Sequence, residues 1–167
     1  MSDRTAPKGY SLVQIALHWV IAALVILQLA VNEGMQDAFK DRAEGAKPED
    51  DVGAALHIAV GLTILVLTAV RLLIRLRRGA PEMHRSNPPL VNFIGHAAHI
   101  ALYGFLIGMP VTGAIAWFTG LELSAELHEL GRLVLIPLIA AHVLGALAEH
   151  FVFKTDSLKR MLGADRG

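Results

Sequence analysis

Apolar residues along this chain gather into four long runs separated by polar stretches. The runs extend from about Leu12 to Val31, Val52 to Leu76, Val91 to Phe118 and Leu130 to Phe153. Each reaches the roughly 20 residues of helix needed to cross a hydrocarbon core about 30 Å thick. None shows the dyad alternation and regular turns of a barrel strand, so the backbone must satisfy its own hydrogen bonds as α-helix. The pattern predicts an all-α fold: an integral membrane four-helix bundle, with residues 1–167 forming one transmembrane unit. Pro110 and Pro137 fall inside the third and fourth runs, where spanning helices tolerate proline with a local kink. The first run is too long for a signal-peptide core and is read as a retained span.

Composition sharpens this picture. The chain is 54% hydrophobic with a mean hydropathy of +0.50, above the apolar share of about 45–50% in soluble domains. It has no cysteine, which excludes disulfides, thiolate zinc sites and iron–sulfur clusters. Charge sorts by linker. Residues 32–51 are acidic and are expected to carry a short surface helix; residues 77–90 are basic and proline-rich; the third linker, "TGLELSAELHEL", is short and acidic. Arg4, Lys8, Arg71, Arg75, Arg77, Arg78, Arg85, Lys154, Lys159, Arg160 and Arg166 all fall on one side. The positive-inside rule makes that side cytoplasmic and places both termini there. The opposite side has Lys40, Arg42, Lys47 and Arg132 against Glu33, Asp37, Asp41, Glu44, Glu49, Asp50, Asp51, Glu122, Glu126 and Glu129, a net of −6. Trp117 and Tyr10 sit near opposite span ends, where amphipathic rings are favoured.

The candidate chemistry lies in the histidines. His18 is about two turns into the first run, His57 just inside the second, His128 at the start of the fourth, and His142 14 residues further on. That step is about 21 Å along a helix axis and returns to within roughly 40° of the same face. His18 lies at the depth of His142, and His57 at the depth of His128, so two facing pairs result, one per leaflet. Paired imidazoles inside a bundle suit haem, whose iron takes one nitrogen above and one below. Zinc fits less well, because it gathers four ligands, or three and a water, at one point. Gly61, Gly131 and Gly145, close to these histidines, either admit a planar ring or simply let helices pack. Arg71 follows His57 by 14 residues and so shares its face at the depth of His18. There it either pairs with a haem propionate or snorkels to the surface. His96 and His99 begin the third run at the inner surface, where interfacial, hydrogen-bonding or quinone-side roles fit them better than haem ligation; His150 is expected at the interface and His84 in solvent.

The stretches "ALHW", "LHIAVGLTILVLTAVRLLIRL", "GHAAHIALYGFLIGMPVTG" and "LHELG…AAHVLGALAEHFVFKTDSLKRML" together resemble the bacterial cytochrome b-561 family over nearly the whole chain. The resemblance implies a multi-pass protein of the bacterial inner membrane with two b-type haems, His18 with His142 on the inner one and His57 with His128 on the outer. It implies electron exchange between a periplasmic donor, superoxide in one well-studied type, and the ubiquinone pool, with no nucleic-acid partner. Two readings follow: a superoxide:ubiquinone oxidoreductase, and a haem-b electron-transfer subunit that docks a periplasmic dehydrogenase or cytochrome. A third, a metal permease or non-redox scaffold, uses the same histidines without haem. Two departures stand out. Members carry paired histidines where this chain has "EHF", so Glu149 replaces one of them and puts the quinone pocket in doubt. The acidic outer side also does not steer an anion such as superoxide.

Overall fold

A computed structural model of the protein describes residues 9–30, 35–44, 52–81 and 87–163. His84, Val31 and the charged residues Arg4, Lys8, Glu33, Lys47, Glu49, Asp50, Asp51, Arg85 and Arg166 lie outside the described residues. Six helices follow in order: α1 (Leu12–Ala30), α2 (Met35–Ala43), α3 (Val52–Arg78), α4 (Pro89–Thr119), α5 (Glu122–Phe151) and α6 (Ser157–Leu162). Helices α1, α3, α4 and α5 are each long and apolar enough to span a bilayer. Their large apolar side chains point outward, among them Val66, Phe93, Ile100, Leu133 and Leu144. In water that surface would be untenable; in lipid it is the expected exterior.

Proline and glycine set the helix ends. Helix α4 opens on Pro88–Pro89, with proline in the first turn where its missing N–H costs no hydrogen bond. It closes on Gly120, whose φ of 71° is left-handed and whose N–H returns to the carbonyl of Ala116. The carbonyl of Leu121 then accepts from the N–H groups of Ser124 and Ala125, so α4 and α5 form a tight helical hairpin. Pro110 and Pro137 both lie within continuous helix.

Two segments differ from the expectation drawn from hydropathy. The third linker is not a loop: from Glu122 onward it is the start of α5. Leu123, Leu127 and Leu130 alternate with Glu122, Glu126 and Glu129 at helical spacing, and these residue types favour helix. Reading for unbroken apolar runs misses a half-polar helix at the membrane surface. The short helix α6 escaped notice for the same reason. It docks on α1, where the indole Nε1 of Trp19 donates to the carbonyl of Met161 at 3.0 Å. The surface helix expected in the first linker is α2. It is fixed to the end of α4 by Arg42, whose Nε donates to the Trp117 carbonyl at 2.7 Å and whose guanidinium lies 5.0 Å from that ring centroid.

The spanning helices pack closely in the sequence α1 with α3, α3 with α4, and α4 with α5. The antiparallel α1–α3 pair has a consistent register. Arg71 meets Gln14, Ile64 packs with Ile21 and Val25, and His57 meets Gln28. Around Ile21, Val25 and Ile64 gather Leu24, Val60, Leu67, Leu106 and Ile139, an apolar belt across the middle of the bundle. Between α4 and α5 the approach is closest at Gly131, where an added Cβ would overlap the sulfur of Met109. Gly131 is therefore a packing glycine. Gly131→Leu is expected to destabilise the bundle by about 1–3 kcal/mol through overpacking, read as a lower unfolding midpoint of the detergent-solubilised protein.

Candidate functional site

The bundle places four histidines at two levels, on either side of the apolar belt. At the near level, beside the start of α1 and α6, the rings of His18 (α1) and His142 (α5) have centroids 6.2 Å apart. At the far level, His57 (α3) and His128 (α5) are separated by 6.1 Å. The helices that carry these partners, α1 with α5 and α3 with α5, are not among the closely packed pairs. Each imidazole pair thus faces across a wider space than the neighbouring contacts provide. Two imidazoles that bind one metal ion from opposite sides, each nitrogen about 2 Å from it, place their ring centroids a little over about 6 Å apart. The donor chemistry and the separations therefore fit an iron held between two nitrogens. Among the described residues no three His, Asp or Glu side chains converge closely enough to hold a single ion.

Neighbouring groups orient these rings. His128 Nδ1 lies 2.8 Å from the carbonyl of Met109. A carbonyl only accepts, so Nδ1 carries the proton and Nε2 keeps its lone pair for a metal. A Cβ on Gly113 would stand 3.0 Å from the His128 ring, so this glycine lets α4 support the imidazole at van der Waals contact. The hydroxyl of Thr112 donates to the Met109 carbonyl at 2.9 Å, and the hydroxyl of Ser124 donates to the Thr112 carbonyl at 2.9 Å. On the other side, Gln28 Nε2 donates to the His57 carbonyl at 2.8 Å. That bond ties the end of α1 to the turn of α3 carrying the ring.

The near level also holds His99, whose ring centroid lies 5.1 Å from that of His142. Its Nδ1 is held by the Gly95 carbonyl at 2.7 Å. It completes a group of three imidazoles, and the hairpin is the signal that could have found it. Folding α4 and α5 back about Gly120 brings residue pairs that sum to about 240 to one depth, including 99 with 142 and 113 with 128. Arg71 is partly buried at this level, and its guanidinium donates to the main-chain carbonyl of Gln14. His96 is exposed. His150 is partly buried beside Phe151, and its Nδ1 has no hydrogen-bond partner among the described residues. Glu149 accepts from the Asn87 amide at 3.1 Å, which links the start of α4 to the end of α5. Of the three glycines singled out in sequence, Gly61 meets only the Gln28 amide at 3.4 Å and Gly131 meets Met109. A Cβ at Gly145 meets nothing within 4 Å.

A four-helix membrane bundle with facing imidazoles at two depths defines a membrane cytochrome of the b type. The model of the prokaryotic cytochrome b561 family matches residues 9–164, and the chain belongs to that family. It is accordingly a haem-b-binding electron-transfer protein of the bacterial inner membrane. It is 34% identical to cytochrome b562 of Cereibacter sphaeroides, over 95% of this chain and 98% of that one. It is 29% identical to a probable superoxide oxidase CybB of Yersinia pestis, over 96% and 99% respectively. With cytochrome b561 homolog 2 of Escherichia coli it shares 26% identity over 98% of this chain and 96% of the other.

Proposed function

We propose that the protein carries electrons between a donor on the periplasmic face and the ubiquinone pool, using two haem b groups. His18 and His142 would hold the near one, His57 and His128 the far one, and both chain termini would be cytoplasmic. The observation that carries this reading is the pair of nearly equal imidazole separations, 6.2 and 6.1 Å, at two levels about 21 Å apart along α5. Bound haem supplies reversible one-electron chemistry. His18 with His142 and His57 with His128 would each supply two imidazole nitrogens to one haem, which would disfavour binding of oxygen or substrate at the iron and favour outer-sphere transfer. Arg71, partly buried near His18, would neutralise a propionate. The basic residues of α3's last turn and of the segment after α5 support the cytoplasmic assignment of the near level.

Superoxide as donor is favoured by the likeness to a chain named as a probable superoxide oxidase. The test is stopped-flow mixing of the oxidised protein with superoxide. Reduction of the haem Soret band within the mixing time scale, relayed to added short-chain quinone, is the expected result. A haem spectrum that stays oxidised while dithionite reduces it would exclude this donor.

A second reading is favoured by the exposed acidic side chains at the far end. These are Asp37, Asp41 and Glu44 in and after α2, and Glu122, Glu126 and Glu129 in the first turns of α5. Such a surface attracts a cationic protein more readily than an anion. A haem-b subunit serving a basic periplasmic cytochrome or dehydrogenase would show electron exchange with that partner that slows steeply as salt is raised.

A further inference from the structure

We propose that Arg71 sets the direction of electron transfer by making the near level the stronger electron acceptor of the two. The inference rests on the reading that each imidazole pair holds one haem. Arg71 is anchored by a main-chain atom: its guanidinium donates to the carbonyl of Gln14. In helix geometry that carbonyl is the acceptor for the backbone N–H of residue 18, so the cation is pinned one helical turn from His18. Gln14 is itself fixed. It is 5% exposed, its Nε2 donates to the Gly79 carbonyl at 3.1 Å, and its Oε1 accepts from the Ser11 N–H at 3.0 Å. The near level thus has a fixed positive charge with no carboxylate paired to it among the described residues.

The far level has the opposite bias. His128 stands at the end of the bundle where six exposed carboxylates, Asp37, Asp41, Glu44, Glu122, Glu126 and Glu129, outnumber the cations Lys40, Arg42 and Arg132. Reduction removes one unit of positive charge from the metal centre. A nearby fixed cation therefore favours the reduced form and a nearby anion the oxidised form, and both effects grow in surroundings of low dielectric. The two levels are displaced in opposite senses, so an electron that arrives at the far level runs downhill to the near one. Should Arg71 also pair with a propionate, its removal would leave that carboxylate bare. The potential would then move in the same direction.

Spectroelectrochemical titration of the purified holoprotein tests this. His57→Ala isolates the near haem and His142→Ala isolates the far one, so each midpoint can be assigned. The near haem is expected to have the higher midpoint. Arg71→Gln in the His57→Ala background should lower it by about 59 mV, a tenfold change in the one-electron equilibrium. Arg71→Lys should restore most of the loss, and Arg71→Gln in the His142→Ala background should leave the far haem unmoved. A far haem with the higher midpoint, or a near haem indifferent to Arg71→Gln, overturns the proposal. If Arg71→Gln fails to retain haem, Glu126→Gln in the His142→Ala background decides: the far midpoint rises if fixed charge sets the order, and stays put if it does not. A His57→Ala protein that binds no haem at all would instead refute the underlying ligand assignment.

Discussion

His142→Ala is expected to take the protein from two haems per chain to one, as counted by the pyridine haemochrome assay against protein mass. His142 is the α5 partner in the near pair and has no role in the far pair, whose rings sit on α3 and on an earlier turn of α5. The remaining haem should keep a sharp, low-spin reduced spectrum, because His57 and His128, which would hold it, are both intact. His99, 5.1 Å from His142, is the imidazole placed to substitute. The double variant with His99→Ala separates true loss from replacement. Two full haems in both variants would mean that the pairing is wrong.

The second large effect is expected at a residue that has no side chain to offer a ligand atom. Gly113→Leu should empty the far level and spare the near one. An added Cβ already stands 3.0 Å from the His128 ring, and a leucine would need the volume that the imidazole occupies. The ring would be forced away from the Met109 carbonyl, which fixes its tautomer at 2.8 Å. Support of this kind is worth about 10–100-fold in metal affinity, and the steric displacement adds to it. The expected phenotype is that of a missing ligand: one haem per chain, with the near midpoint unchanged. A Gly113→Leu protein with both haems and wild-type potentials would show that the glycine serves helix packing alone, as Gly131 does.

These two predictions differ in how far the sequence leads to them. The four spans are visible in sequence because the bilayer demands long apolar runs. The histidine pairs are visible because an ideal helix fixes both depth and azimuth over 14 residues. The supporting residues were hidden because they depend on which helices touch. Gly113, Met109 and Gln28 act through contacts between helices, and hydropathy is blind to partner choice. The contact of His99 with His142 depends on the α4–α5 hairpin, which a depth count along one helix does not give. The opening turns of α5 were read as a linker because surface helices are half polar and break an apolar run without ending the helix. The spacing of Arg71 places it at the depth of His18, where the structure has it partly buried. Its anchor on the Gln14 main chain could not be read from residue types, since any residue at position 14 offers a carbonyl.

The belt around Ile21, Val25 and Ile64 also works as insulation. No ionisable side chain occurs between His57 and Arg71 on α3, or between Arg132 and His142 on α5. Polar groups at those depths are few, the hydroxyls of Thr63 and Thr68 on α3 and of Tyr103 on α4 among them, while an electron needs none. On the proposed assignment, with one haem at each level and the near level cytoplasmic, an electron that passes from the far level to the near one crosses the membrane's electric field uncompensated. Each 100 mV of membrane voltage, negative inside, opposes that passage by up to about 2.3 kcal/mol per electron. An energised cell would thus throttle the inward current, and a depolarised one would release it.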